Sequence, residues 1–170
     1  FRSAGVVIAN EVIDAFPVER FLILEGDVQQ SRVTVDGDNL TWTCAEAPSG
    51  LATAVRNIER ELDCTFPDGY TSEISLAAQN WVSELAASIT AGFVFLIDYG
   101  VTRREYYAAE RSDGWLRCHF RHHAHDNPLL LPGIQDVTTW VDFTGVAEAA
   151  VAADMSVAGY VTQASFLLSG

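Results

Sequence analysis

Cationic residues are scarce in this chain: 10 Lys and Arg stand against 23 Asp and Glu, for a net charge of -13 and a pI near 4.4. That balance argues against direct nucleic-acid binding, because phosphate contacts need cations that release counterions. Basic or neutral partners are easier to accommodate. No apolar run approaches the ~20 residues needed to cross a bilayer, which argues against a membrane protein. The three cysteines, Cys44, Cys64 and Cys118, are odd in number and form no CxxC pair. A disulfide framework is thereby excluded, and a reducing compartment is expected. There is no GxSxG elbow for an α/β hydrolase and no GxGxG loop. Internal repeats, low-complexity tracts and clear linkers are missing too. No signal or transit peptide is visible ahead of the first apolar run.

What is present reads as one folded domain. The 170 residues are 49% hydrophobic and 19% charged, and a chain of that length buries roughly 70% of its unfolded surface. Gly5 to Ala9 is a β-branched run that stops at Asn10-Glu11, a buried strand emerging into polar surroundings. Pro17 argues against a helix through Phe16. Arg32 to Val35 and Leu40 to Thr43 alternate around Asp36-Gly37-Asp38-Asn39, a hairpin signal. Leu51, Val55, Ile58 and Leu62 recur at helical spacing. A second helix is expected over about 75 to 88, with Ala78, Trp81, Val82, Leu85 and Ile89 as its stripe and Gly92 as its stop. Phe93 to Ile97 is a second apolar strand. Residues 101 to 141 read as a long irregular functional loop. Asp142 suits the N-cap of a third helix with Phe143, Ala147, Val151 and Met155 on one side. Val157 to Leu168 reads as β-rich, with Gln163 structural beside a late strand. The four tryptophans, Trp42, Trp81, Trp115 and Trp140, read as packing residues.

Strand, helix, strand, helix, strand is the rhythm of an α/β sheet, whose ligands sit beyond the carboxyl ends of the strands. Both apolar strands place acids there: Glu11 and Asp14 after the first, Asp98 after the second. These acids are open between a binding site and solvated strand exits or caps.

Five stretches in order resemble the MidA-like family of class I S-adenosylmethionine-dependent methyltransferases. They are Ala9-Asn10-Glu11-Val12-Ile13-Asp14-Ala15-Phe16-Pro17-Val18 and Leu96-Ile97-Asp98-Tyr99-Gly100. Then come Leu116-Arg117-Cys118 with Arg121-His122 and Asp126-Asn127-Pro128, and Pro132-Gly133-Ile134-Gln135-Asp136-Val137-Thr138 with Val141-Asp142-Phe143-Thr144. Thr162-Gln163-Ala164-Ser165-Phe166-Leu167-Leu168 is the last. Gly114-Trp115 departs from the Gly-Thr usual in relatives. The family includes the mitochondrial methyltransferase that helps assemble respiratory complex I.

The resemblance implies an α/β fold: a partial class I methyltransferase (Rossmann-like) sheet lacking its first strands, with a β-hairpin and helical insertion at about 21 to 72. Gly5 to Ala9 would be its fourth strand and Phe93 to Ile97 its fifth. Residues 1 to 170 would be the C-terminal portion of the catalytic domain. The glycine-rich loop and ribose-binding acid of the superfamily do not occur here, so the main cofactor cradle is expected upstream and weak or no binding of the methyl donor by this chain alone. The implied cofactor is S-adenosylmethionine and the implied reaction is methylation of a protein arginine. A non-catalytic, partner-binding assembly module on the same fold is the alternative.

Carboxylates grip a guanidinium in a bidentate way and aim one nitrogen at the methyl group. If residues 11 to 14 form a helical turn, Glu11 and Asp14 face one pocket. They are the expected catalytic clamp, with Asn10 placing cofactor or substrate and His122 as a general base or loop-ordering residue. Asp98, Tyr99 and Asp136 are expected to meet the substrate. His119, His122, His123 and His125 with Asp126 lack the spacing of a closed metal site, and no metal is expected. The expected partner is a protein with a basic side chain, with homodimerisation as a further possibility. The bacterial cytoplasm is the default compartment and the mitochondrial matrix its alternative.

Overall fold

The computed structural model describes residues 3–169. β1 (Ser3–Asn10) leads into four antiparallel strands and a helix: β2 (Glu19–Leu24), β3 (Asp27–Asp36), β4 (Asn39–Glu46), α1 (Ser49–Leu62) and β5 (Thr71–Ile74). α2 (Leu76–Ser88) then delivers the chain to β6 (Ile89–Ile97). Short elements follow: β7 (Gly100–Val101), α3 (Arg103–Tyr106), β8 (Arg117–Phe120), β9 (His123–His125), β10 (Asp136–Thr138) and β11 (Val141–Asp142). α4 (Phe143–Ala152) and α5 (Gln163–Leu168) close the chain.

β1 and β6 pair in parallel, Gly5 opposite Gly92 and Asn10 opposite Ile97. A parallel pair needs a long crossover, and residues 11 to 88 supply it. Gly92 is therefore no helix stop. It lies inside β6 at φ 141°, where a Cβ would run into the Gly5 carbonyl. α2 ends one step earlier, where Ile89 becomes extended.

The crossover folds into a sheet of order β4-β3-β2-β5 with α1 against one face. Phe21, Ile23 and Val28 meet Leu51, Val55 and Ile58 of the helix, with Phe66 and Tyr70 stacked 4.4 Å apart beside them. Each such side chain contributes about 1.5–3 kcal/mol when fully buried. The sheet is larger than the expected hairpin: β2 and then β5 extend it beyond β3, with Glu19 paired to Ile74.

A second core joins Ile13, Ala78, Val82, Val141 and Val146. Here α2 packs on α4 through Val146, Ala149 and Ala150, whereas Val151 is exposed. The expected Phe143, Ala147, Val151 stripe is thus rotated by part of a turn. The N-cap is where the sequence put it: Asp142 accepts from the Thr144 and Gly145 N–H groups. Its other oxygen accepts from Arg103 Nε at 3.1 Å, and Arg103 also pairs with Glu148 and Glu61. Asp142→Ala should cost about 1–2 kcal/mol in urea melts, the value of a lost cap. Glu148 keeps Arg103 paired in that variant, so a larger loss would show that the buried guanidinium depends on Asp142.

Three further expectations change. The 101 to 141 segment is built of short strands and helical turns rather than irregular loop. Residues 163 to 168 are helical, because the Thr162 hydroxyl caps the Ser165 N–H, so Gln163 opens a helix and adjoins no late strand. Trp115 is buried and stacks on Trp140 at 4.5 Å, as packing residues do, but Trp42 is 42% exposed. The cysteines are all free. Among the described residues, no helix is long and apolar enough to cross a membrane.

Candidate active site

Because β1 and β6 run parallel, their carboxyl ends arrive together. The Glu11 N–H donates to the Ile97 carbonyl at 2.8 Å, which extends the ladder one residue past Asn10. Glu11 then takes a left-handed φ of 50°, and the chain leaves the sheet in a turn closed by Phe16 N–H on the Ile13 carbonyl. Residues 11 to 14 are therefore not a helical turn.

Asp98 holds that turn in place. One carboxylate oxygen accepts from the N–H groups of Ile13 at 2.9 Å and Asp14 at 3.2 Å. The other accepts from the Tyr99 N–H at 2.8 Å. Both oxygens thus bind backbone, so Asp98 fixes the turn that carries Ile13 and Asp14. Asp98→Ala should loosen the turn, read as faster amide hydrogen exchange at Ile13 and Asp14. Rescue by Asp98→Asn, which keeps one acceptor, would separate positioning from charge.

Asp14 is the buried member of the group, 8% exposed, and its Oδ1 has no hydrogen-bond partner. Burial, followed by the negative charges of Asp98, Glu11 and Asp136, raises its carboxyl above the ordinary value. Its carbonyl accepts from the Thr139 N–H at 2.9 Å, which ties the turn to the β10–β11 connection. Tyr99 is exposed beside Glu11, whose charge and hydrogen bond push the phenol up. Asp136 opens β10 and is exposed. Asn10 is exposed at the end of β1.

A cavity of about 240 Å³ adjoins the turn, lined by Asp14 to Val18, Leu116 and Val137 to Thr139. Its walls are apolar apart from Asp14 and two threonines. The lining residues Leu116, Val137 and Thr139 were not foreseen. The bond from the Thr139 N–H to the Asp14 carbonyl and the pairing of β10 with β8 bring these segments together.

The turn thus gathers Glu11, Asp14, Asp98, Tyr99 and Asp136. It does not gather His122. That residue sits in the two-residue turn between β8 and β9, exposed, at φ 66°. Five residues separate it from Leu116, and it follows His119, the partner of Asp136, by three. Among the described residues, no three His, Cys, Asp or Glu side chains converge as metal ligands.

The chain also has relatives among known protein families and solved structures. The family model described as "Putative S-adenosyl-L-methionine-dependent methyltransferase", Methyltransf_28, matches residues 2–161. The chain belongs to the Methyltransf_28 family. A COG1565 superfamily member from Burkholderia thailandensis, crystallised with S-adenosyl-homocysteine, shares 36% identity with this Methyltransf_28 chain at a TM-score of 0.90. A native crystal structure of a COG1565 superfamily protein from the same organism is 35% identical, with a TM-score of 0.91. Each match covers 98% of this chain, but only 42% and 44% of the respective neighbour. The chain therefore spans less than half the length of either structure. No curated protein matches it. Methyl transfer from S-adenosylmethionine is the chemistry of the family, on a methyltransferase-like α/β fold.

Proposed function

We propose that this chain supplies the acceptor side of a MidA-like protein methyltransferase, which moves a methyl group from S-adenosylmethionine to an arginine of a protein. The carrying observation is Asp14: a buried carboxylate with an unpartnered oxygen, among three other acids, beside a cavity with apolar walls. Apolar walls suit the methylene stem of a long side chain, and the carboxylates suit its cationic head. A role in assembling a respiratory complex belongs to the same reading.

The charge of the cluster also suits a sulfonium donor, which, when bound, supplies an electrophilic methyl carbon. Asn10 is the residue of this chain assigned to it. Glu11 and Asp14 orient the acceptor nitrogen for in-line attack. A guanidinium is a weak nucleophile with a pKa above ~12. It gains from carboxylates that fix its plane and keep charge on its far nitrogens. Asp14, whose acidity is already weakened, would take the proton released as the new N–C bond forms and the donor's S–CH3 bond breaks to leave a neutral thioether.

The test is to incubate the full-length gene product with candidate proteins and a donor carrying an isotope-labelled methyl group. The expected result is labelled arginine by peptide mass spectrometry. Label confined to lysine, or to small molecules, would overturn the arginine reading.

A further inference from the structure

The β8–β9 hairpin ends in Arg121-His122-His123, three consecutive exposed residues with basic side chains on a chain of net charge -13. Arg121 and His122 form the two-residue turn at φ 48° and 66°. Two left-handed centres make the turn that Asn-Gly fills without steric conflict, so side chains are kept here where small residues fit better. Among the described residues, Arg20, Arg56, Arg103 and Arg117 are in ion pairs, whereas Arg32, Arg60, Arg104, Arg111 and Arg121 are in none; Arg121 lies 5.3 Å from the Phe120 ring and is followed by two exposed histidines. The acid nearest along the hairpin, Asp126, is taken by Arg117. His125, next to it, accepts from the Asn127 N–H. Asp136, opposite His119 on the neighbouring strand, forms no ion pair with Arg121 either.

Its distance from the acids is set by strand register. β8 pairs with β10, Thr138 opposite Arg117 and Asp136 opposite His119. Leu116 lines the Asp14 cavity, and Arg121 lies five residues further on, roughly 16 Å along the hairpin. One three-stranded sheet, β10-β8-β9, therefore connects a negative pocket to a positive tip.

We propose that the Arg121–His123 tip is a second anchor for the substrate protein, gripping a carboxylate about five extended residues from the cationic side chain held at Asp14. The inference rests on the cation-binding reading of that pocket. A nucleic-acid phosphate backbone is a poorer occupant, because it would meet the repulsion of the whole acidic chain. A short peptide with separated charges of opposite sign meets attraction at both ends.

The test uses the full-length protein and three fluorescent peptides in low salt. One carries a single arginine with two glutamates centred five residues away. The second has glutamines for the glutamates, and the third has citrulline for the arginine. The glutamate peptide should bind about three- to tenfold more tightly than the glutamine peptide. Arg121→Gln should reduce that preference below about twofold and leave the glutamine peptide unaffected. Arg121→Gly should do the same, and its left-handed φ guards against misfolding as the cause. Moving the glutamates next to the arginine should also abolish the preference. Equal binding of the glutamate and glutamine peptides, or binding of neither, overturns the proposal. Tight binding of the citrulline peptide with the glutamate preference intact would refute the cation pocket alone.

Discussion

Asp14→Asn in the full-length protein should lower methyl transfer by about 10²- to 10³-fold and at the same time raise thermal stability at pH 8. The loss is that of a group which orients the acceptor and takes its proton. The gain follows from the surroundings of the carboxylate. Asp14 is buried, has an oxygen without a partner, and faces the charges of Asp98, Glu11 and Asp136. These raise its folded-state pKa above the ordinary value of 3.8. A raised carboxyl binds more protons folded than unfolded, so its contribution to stability falls as pH rises from the unfolded pKa through the folded one. Above that window the ionised group is a net cost, and a neutral amide of the same shape removes it. An increase of about 1 kcal/mol corresponds to a Tm higher by about 2–4 °C for a chain of this size. The increase should fade as pH drops through 3.8 and vanish well below it, where Asp14 is protonated in both states. Unchanged turnover would remove Asp14 from the acceptor site. A lower Tm at pH 8 would show that the carboxylate accepts stabilising hydrogen bonds in solution.

Such a trade of stability for placement of charge shows why parts of the site were legible in the sequence. Strands end where β-branched and aromatic runs stop, so the ends of β1 and β6 could be located from Gly5 to Ala9 and Phe93 to Ile97 alone. The rule that ligands gather at parallel strand ends then pointed to Glu11, Asp14 and Asp98. What each acid does there depends on backbone groups that the sequence does not display. Asp98 meets three N–H groups and Asp14 leaves an oxygen free, yet both are aspartates just past a strand. For His122, a place in a motif-like stretch did not display the β8–β9 turn that carries it. α4 was located by its Asp142 cap, but its alanine-rich run has no sharp apolar stripe. The packing of Ala78 and Val82 from α2 decides which face is buried. α5 was missed because Phe166-Leu167-Leu168 is compatible with strand, and a single capping threonine turns it into helix.

The largest loss of stability should come from a residue outside the acid cluster. Arg20→Ala should destabilise the fold by about 3–5 kcal/mol at pH 8, the range for a buried ion pair deprived of one partner. Glu73 is fully buried on β5 and receives Arg20 Nη1 at 2.9 Å and the Trp115 N–H at 2.7 Å. Gly114, at φ 82°, lies so close that a Cβ would collide with the carboxylate. No space is left there for a replacement side chain. Burial raises the Glu73 pKa, against the opposing pull of Arg20 and the Trp115 N–H. Without Arg20 it rises further, and the glutamate folds in its protonated form. The extra protons bound by the folded variant make its stability fall as pH rises, so the deficit should be smaller at pH 5 than at pH 8. Urea melts at the two pH values measure this directly. Adding Glu73→Gln should recover about half of the loss at pH 8, because a neutral amide still accepts from Trp115. The consequence reaches the cavity, since Trp115 precedes the lining residue Leu116. Equal deficits at both pH values would instead assign the loss to Arg20's other contacts: its bond to the Asp113 carbonyl and its position 5.3 Å from the Trp42 ring.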